Sequence, residues 1–250
     1  MLDAFYTAAV GLEAQQQQLN SAANNFANLT TTAYKRQTVD FSAILARGPA
    51  SARNATEAQP VNLLHFDMTP GAIRATGRPL DLAIQGSGFI EVTLAGQKTG
   101  YSRGGSLQIN SDGVLSLSNG QTLKADVRIP TGATNVQILP DGSVTVFMPG
   151  ETTARTLGQL EIVTFANPDA LTYSGDGIFT LPEGASEPTR TRPGEEGTQP
   201  LVPQSLEGSN VDMTTEMVSM TLMQRVYELN SRVAQVADEL MGMANNMRRE

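Results

Sequence analysis

The sequence of 250 residues predicts an α+β protein, with N- and C-terminal coiled-coil-forming helices packed together and an intervening, mainly antiparallel β domain. Three observations lead to this class. Apolar residues recur at alternating steps of three and four near both ends, Asp-Gly and Asn-Gly pairs separate short apolar runs in the middle, and no helical pattern lies between those runs. A spacing that averages about 3.5 residues keeps one side of a helix facing a partner helix. The glycine pairs supply the positive φ of tight hairpin turns, which join antiparallel strands.

The first element is a helix predicted from Leu2 to Leu29. One helix cannot bury its own apolar stripe, so we expect another helix to cover it. Gly11 is a weak point that costs about 1 kcal/mol relative to Ala, and the threonines from Thr30 onward end the helix. The stripe residues predicted to make assembly contacts are Leu2, Phe5, Leu12, Leu19 and Phe26.

Composition divides the chain into three predicted parts. Residues 1–46 and 208–250 form a terminal helical domain, residues 47–79 form a linker or extended segment, and residues 80–207 form a β-rich domain. The linker is predicted because the sequence from Arg47 to Pro60 is small, polar and without period. Just before it, an apolar set from Tyr34 to Leu45 fits either a strand or a short helix.

Turn residues divide the β-rich part into hairpins. Turns are predicted at Asp112-Gly113, at Asn119-Gly120 and at Pro140-Asp141-Gly142, each with alternating apolar residues beside it. Further strands are predicted from Phe89 to Leu94 and from Leu160 to Phe165. The proline-rich stretch that follows, residues 182–203, is predicted to be a loop or an extended connector.

The last element is a helix predicted to begin near Asn210 or Asp212, both good N-cap residues. It runs for about 36 residues, or roughly 54 Å, which is longer than globular helices usually are and favours a coiled coil. Its many methionines fit an adaptable binding surface or ordinary helix core equally well. The predicted assembly contacts on this helix are Leu222, Val226, Leu229, Val233, Val236, Leu240 and Met243.

Charge and composition exclude several classes of function. The net charge of −8 argues against a nucleic-acid partner, which requires a basic face. The pair Lys35-Arg36, the best basic cluster, is interpreted as a solvated helix end. The N-terminus has no cationic segment followed by an apolar run, and no stretch approaches the roughly 18 apolar residues of a membrane span. The chain is therefore expected to be cytoplasmic or exported without a cleaved signal peptide.

The sequence offers no catalytic centre. Gly86-Ser87-Gly88 lacks the third glycine of a dinucleotide loop and is interpreted as a tight turn entering the strand from Phe89. His65 is the only histidine and is expected to be packed among apolar neighbours, so a metal site based on histidines is not predicted. We therefore predict a protein that is not an enzyme, with no cofactor, no metal and no small-molecule substrate.

Four stretches resemble blocks of the bacterial flagellar rod and hook family, in the family's order. The N-terminal signature is resembled by SAANNFANLTTTAYKRQTVDF (Ser21–Phe41), and the D-L-A-I-x-G-x-G-F-F segment by LDLAIQGSGFIEV (Leu80–Val92). The Y-T-R-x-G block is similar to YSRGGSLQINSDGVL (Tyr101–Leu115), and the C-terminal helix to GSNVDMTTEMVSMTLMQRVYELNSRVAQVADELM (Gly208–Met241). One departure is Ala33, which stands where a glycine is common and needs another way to turn the chain.

The motif residues that the resemblance carries over are Asn24, Asn25, Asn28, Tyr34, Lys35, Arg36, Gly86, Gly88, Phe89, Asn210, Gln224, Arg225, Tyr227, Glu228 and Asn230. The resemblance implies a structural subunit of the basal-body rod, a hollow shaft that spans the periplasm and transmits torque. The terminal helices would form its inner tube and the β-rich domain its outer layer. Its C-terminal block is most similar to that of distal-rod members, and proximal-rod members are the alternative.

The resemblance also implies the partners: copies of the chain itself, other rod and hook subunits, the flagellar type III export apparatus, and the surrounding periplasmic and outer-membrane rings. Two other functions stay open at this point. One is an adaptor that binds partner helices without polymerising, and the other is a secreted carbohydrate-active enzyme with a β-body.

Overall fold

The structure is a computed structural model that describes residues 2–39, 64–125, 127–150, 153–182, 184–195 and 200–247. It has two compact units. The helical unit contains Met1–Leu29, Gln37–Phe66 and Val211–Glu250, and the β-unit contains Thr30–Arg36 and Asp67–Asn210. The predicted α+β class, with mainly antiparallel sheets and one helix near each end, is confirmed.

Two long helices dominate the helical unit. Helix α1 spans Leu2–Ala27 and ends two residues before the predicted boundary, because residues 28–30 form a turn. Helix α2 spans Met213–Met247 and is capped by Asp212, whose Oδ2 accepts the backbone N–H of Thr215 at 2.8 Å. The hydrogen bonds from Thr215 lower the pKa of Asp212. Of the two predicted caps, Asp212 is therefore the one used.

The buried face of α1 consists of small and polar residues. Ala14, Ser21, Ala22 and Asn25 are buried on it, and α1 packs against α2. Small side chains allow close approach of neighbouring elements, whereas the larger Phe26 is exposed.

The strands are short and numerous. In chain order they are β1 (Gln37–Val39), β2 (Leu64–Phe66), β3 (Ile73–Ala75), β4 (Asp81–Ile84), β5 (Ile90–Thr93), β6 (Thr99–Ser102), β7 (Gly104–Ile109), β8 (Leu115–Leu117), β9 (Thr122–Leu123), β10 (Thr134–Ile138), β11 (Ser143–Phe147), β12 (Arg155–Gln159), β13 (Ile162–Thr164), β14 (Thr172–Gly175), β15 (Ile178–Thr180), β16 (Thr189–Thr191), β17 (Leu201–Pro203) and β18 (Ser205–Glu207).

The β-unit is built on a nine-stranded sheet in the order β14-β15-β6-β5-β9-β8-β7-β4-β17. A three-stranded sheet, β10-β11-β12, and the pairs β13-β16 and β18-β3 accompany it, while β1 and β2 pair within the helical unit. Every paired strand is antiparallel. Aliphatic side chains from these sheets form one continuous core that includes Leu82, Val92, Leu115 and Val144.

The predicted hairpins are confirmed, with one difference in their chemistry. The turn between β10 and β11 is held by Asp141, whose Oδ1 accepts the Ser143 N–H at 2.9 Å. In the turn between β7 and β8 the corresponding acceptor is Asn110, whose Oδ1 accepts from the N–H groups of Asp112 and Val114. The Asp-Gly pair there supplies the backbone geometry but not the side-chain bond.

Two predictions from the sequence are wrong, and a third falls mostly outside the described residues. The proline-rich stretch 182–203 was expected to be only a connector, but it contains β16 and β17, because its prolines lie beside these short strands or at their ends. His65 is exposed on β2 and not buried, since alternate residues of a strand face opposite sides and Phe66 takes the buried side. Residues 40–63, including most of the predicted linker, lie outside the described residues.

Ala33 turns the chain by adopting a left-handed backbone, with φ of +56°, while buried. This conformation costs an L-residue about 1–2 kcal/mol and is worse for β-branched residues. It explains why glycine suits this position.

We expect Ala33→Val to lower the free energy of unfolding by about 2 kcal/mol or more, because it adds a β-branch to a left-handed residue. Ala33→Gly should change it by less than about 1 kcal/mol, since relief of strain offsets the lost methyl burial and the greater freedom of the unfolded chain. Urea denaturation of both variants measures the difference. Equal losses in the two variants would contradict the strain.

Candidate functional site

The centre of the β-unit holds a buried ion cluster of Lys35, Arg103 and Glu207. Lys35 Nζ donates to Glu207 Oε1 at 2.6 Å, and Arg103 Nε donates to Glu207 Oε2 at 3.1 Å. The three side chains are at most 1% exposed. One carboxylate thus serves two buried cations, each on its own oxygen, so that neither charge is left unpaired.

The ion cluster also satisfies backbone groups that belong to bends and loops. Glu207 Oε1 accepts the N–H of Gly71 at 2.8 Å, and Lys35 Nζ donates to the carbonyl of Thr69 at 2.7 Å. The Arg103 guanidinium donates to the carbonyls of Gly86 and Gly88. Buried backbone groups without partners are costly, so the cluster stabilises the irregular segments around it.

Burial lowers the pKa of Lys35, and the nearby charge of Arg103 lowers it further, whereas Glu207 opposes both effects. Burial likewise lowers the pKa of Arg103, again against Glu207. Glu207 is thus the strongest of the influences that favour the charged forms of Lys35 and Arg103.

The interpretation of Lys35-Arg36 as a solvated helix end is wrong. Lys35 lies past the end of α1 in an extended segment and points into the β-unit, where Glu207 compensates its charge. The error arose because the partner is 172 residues away in sequence. Arg36 is half-buried beside it.

The glycine motif shapes the Arg103 side of the cluster. Gly86 has φ of +92°, in the bend that the sequence predicted before Phe89. A side chain on Gly88 would lie 2.3 Å from Ile162 Cγ2, so only glycine fits there. The Arg103 guanidinium lies over the Phe89 ring, 5.4 Å from its centroid, and Phe165 and Phe179 each form a T-shaped contact with the same ring. The motif therefore forms a cradle for Arg103 and not a nucleotide site.

Asn210 ties together the places where the chain enters and leaves the β-unit. Its Oδ1 accepts the N–H of Arg36 at 2.7 Å, and its Nδ2 donates to the carbonyls of Asp67 at 2.7 Å and Thr69 at 3.1 Å. Arg36, Asp67 and Asn210 are each the last or first residue of a stretch of the β-unit. One amide therefore connects three of the four points at which the chain passes from one unit to the other.

Asn25 plays a similar part inside the helical unit. Its Nδ2 donates to the carbonyl of Gln37 and its Oδ1 accepts the N–H of the same residue, both at 2.8 Å. The side-chain amide thus pairs with the backbone as a neighbouring strand would, and Ser21 adds a bond to the same carbonyl. Its sequence neighbour Asn24 is exposed.

The remaining motif residues do not join the ion cluster. Tyr34 is buried, and Asn28 is half-buried in the turn after α1. On α2, Asn230 is half-buried, whereas four others are exposed: Gln224, Arg225, Tyr227 and Glu228. Three of these line a groove of the helical unit together with Leu19 and Met223.

The predicted assembly residues of α2 form an exposed apolar stripe. Their described side chains are between 43% and 62% exposed, and they are Leu222, Val226, Leu229, Val233, Val236 and Met243. Val218 extends the stripe by one turn and was missed by the sequence analysis. The side chain of Leu240 lies outside the described part of the structure, as do those of Leu2 and Phe5 on α1. Leu12 and Leu19 are half-buried.

Helix α2 has a second, covered face roughly a third of a turn from the stripe. Glu216 is buried there, and Met220, Met223 and Asn230 are half-buried. The methionines therefore serve both as packing residues and as exposed surface. Two apolar faces on one helix leave one of them uncovered within a single chain.

Arg103 and Glu207 were absent from the predicted site residues. Arg103 stands in the Tyr101–Leu115 block and Glu207 directly precedes the Gly208–Met241 block. These positions were the available signal, but neither they nor the spacing along the chain reveal that the side chains meet.

Within the described residues, no group of three or more His, Cys, Asp or Glu side chains could hold a metal ion. None of the described helices is long and apolar enough to cross a membrane.

The described chain combines a long helix near each end with an antiparallel β-unit between them. Comparison with known families identifies the class as the flagellar hook and rod proteins: residues 83–146 match the flagellar hook protein FlgE/F/G D1 domain, and residues 202–247 match the flagellar basal body rod FlgEFG protein C-terminal. Similarity to curated proteins covers nearly the whole chain. The chain belongs to the flagellar basal-body rod family, whose members are structural proteins and not enzymes.

The relatives indicate the type within the family. The flagellar basal-body rod protein FlgG of Bacillus subtilis is 32% identical over 100% of both chains. FlgG of Buchnera aphidicola from Acyrthosiphon pisum is 31% identical over 96% of this chain and 98% of its own. FlgF of Escherichia coli is 30% identical over 98% of this chain and 97% of its own. The predicted resemblance to the rod and hook family is confirmed, and these relatives support the FlgG type, with the FlgF type as runner-up.

We expect Asn25→Asp to lower the free energy of unfolding by about 2–3 kcal/mol, because the buried carboxylate loses the donor to Gln37 and faces its carbonyl. Asn24→Asp is the matched control, since it makes the same change one residue earlier at an exposed position and should stay within about 0.5 kcal/mol. Chemical denaturation of the two variants gives the comparison. A loss at position 24 as large as that at position 25 would contradict the role of the paired amide.

Proposed function

We propose that this chain is a rod subunit that polymerises through the exposed stripe of α2. The observation that carries the proposal is the stripe itself: seven described apolar side chains on one face of α2 stay exposed although the other apolar face is covered. An apolar face of this length is unusual on a monomer and typical of an interface. Its spacing of about 3.5 residues fits a helix as the partner, in a coiled-coil arrangement.

The partners of this stripe are other copies of the chain and neighbouring rod and hook subunits, which the family relationship supports. By the same relationship we place the assembled chain in the flagellar basal body, as part of the shaft that crosses the periplasm inside the surrounding rings. Delivery by the flagellar type III export apparatus belongs to the same proposal. Helices would line the inner tube, and the β-unit would form the outer layer.

If the stripe is the assembly contact, substitutions in it should leave the isolated monomer stable but disrupt the assembly. We expect Leu229→Asp and Val236→Asp to leave the free energy of unfolding of the monomer within about 0.5 kcal/mol, since both side chains are exposed. In the assembly each would bury an unpaired charge at a cost of several kcal/mol. Motility and rod formation should therefore be lost, as seen in swimming assays and electron microscopy of basal bodies.

The matched control is Gln235→Asp, which adds the same charge in the helical turn of Val236 but at an exposed position off the stripe. This variant should swim normally. Normal swimming of the Leu229→Asp strain would refute the stripe as the assembly contact. Intact rods without swimming would instead favour the alternative of an adaptor that binds partner helices.

A further inference from the structure

We infer that Glu207 acts as a folding lock: the β-unit becomes stable only when its first and last segments are both in place. Lys35 lies in the first segment of the β-unit, Arg103 in the middle, and Glu207 in the last strand. The lock concerns folding of the single subunit and does not depend on the assembly proposal.

The charges make the three parts mutually dependent. Without Glu207, two cations would lie buried near each other, and Arg103 already disfavours the charged form of Lys35. The other acid that acts on Lys35 is Asp67, which is half-buried and already accepts the N–H of Thr69. Its effect on Lys35 is smaller than that of Glu207. No described group therefore replaces the missing carboxylate.

Backbone hydrogen bonds around Glu207 are a second reason why the first and last segments of the β-unit depend on each other. Ala33 donates its N–H to the carbonyl of Glu207 at 2.8 Å, and Asn210 donates its N–H to the carbonyl of Tyr34 at 3.3 Å. Strand β18, which ends at Glu207, pairs with β3, and β17 just before it pairs with β4 at one side of the nine-stranded sheet. The first and last segments thus bind each other as well as the sheet.

These contacts have a consequence for the order of folding. A chain whose last residues are not yet available has two uncompensated cations at the centre of the β-unit, together with an unpaired β4 edge. Such a chain remains unfolded or loosely folded until Glu207 arrives.

The test uses the full-length chain and compares Glu207→Gln with Glu91→Gln. Both variants neutralise a carboxylate that serves two cations, but the partners of Glu91, Lys124 and Arg190, are about half exposed. We expect Glu207→Gln to raise the equilibrium constant for unfolding about 100- to 1,000-fold, because it leaves buried charges unpaired. Glu91→Gln should raise it no more than about fivefold.

Native-state hydrogen exchange separates a lock from a local contact. If the lock governs the whole β-unit, Glu207→Gln lowers protection of the core amides of Leu82 and Val92 by the same factor as that of Ala33 and Asn210. Loss of protection confined to Ala33, Gly71 and Asn210, with the core unchanged, would overturn the inference.

Two further variants keep the test decisive. The second measurement is a double-mutant cycle. In Lys35→Met/Glu207→Gln the rise in the equilibrium constant for unfolding should be at least tenfold smaller than the product of the rises in the two single variants, because each charge is harmful mainly when the other is absent. Strict additivity would overturn the lock. If Glu207→Gln does not fold, the stability of Glu207→Asp is measured instead. This variant keeps the charge but shortens the side chain, so it should fold with a loss of stability smaller than that of Glu207→Gln. A Glu207→Asp variant as stable as the natural chain would also overturn the inference.

Discussion

The buried carboxylate of Glu207 is the interaction on which the β-unit depends. It pairs with both Lys35 and Arg103, and the same three side chains complete the hydrogen bonding of Thr69, Gly71, Gly86 and Gly88. These backbone groups lie in bends, where no neighbouring strand can serve them. An apolar replacement of the cluster would remove the charges but orphan the backbone, so this ion cluster differs from buried pairs that hydrophobic residues can replace.

Beside its aliphatic core, this molecule buries a group of charges and leaves an apolar face exposed. Lys35, Arg103 and Glu207 are buried in the β-unit, whereas a long apolar stripe is exposed on α2. The difference follows from the number of partners each needs. The ion cluster finds all its partners within one chain and fixes their positions, whereas an apolar stripe, whose contacts have no preferred direction, is suited to the partner from another chain that we propose for it. Internal architecture and assembly can therefore be specified by separate residues.

The sequence was sufficient wherever local chemistry decides the structure. The hairpin at Pro140-Asp141-Gly142 follows from a turn that its own side chains stabilise, and the stripe of α2 follows from a period within one helix. The ion cluster was beyond reach because its members are far apart in sequence and each looks like a surface charge alone. Lys35 was misread for this reason. Ala33 was the intermediate case: its need for an unusual turn was evident, but not the left-handed backbone that provides it.

The contact between Arg36 and Asp67 has a bearing on how chains of this kind can vary in length. The N–H of Asp67 donates to the carbonyl of Arg36 at 2.9 Å, and Asn210 binds both residues. The stretch from 37 to 66 therefore leaves the β-unit and returns to it at one fixed point, where Arg36 and Asp67 are hydrogen-bonded. Residues can be gained or lost between those ends without displacing any strand of the β-unit, since closing a longer loop adds little entropy cost. Changes of length within this stretch are consequently compatible with an unchanged β-unit and an unchanged ion cluster.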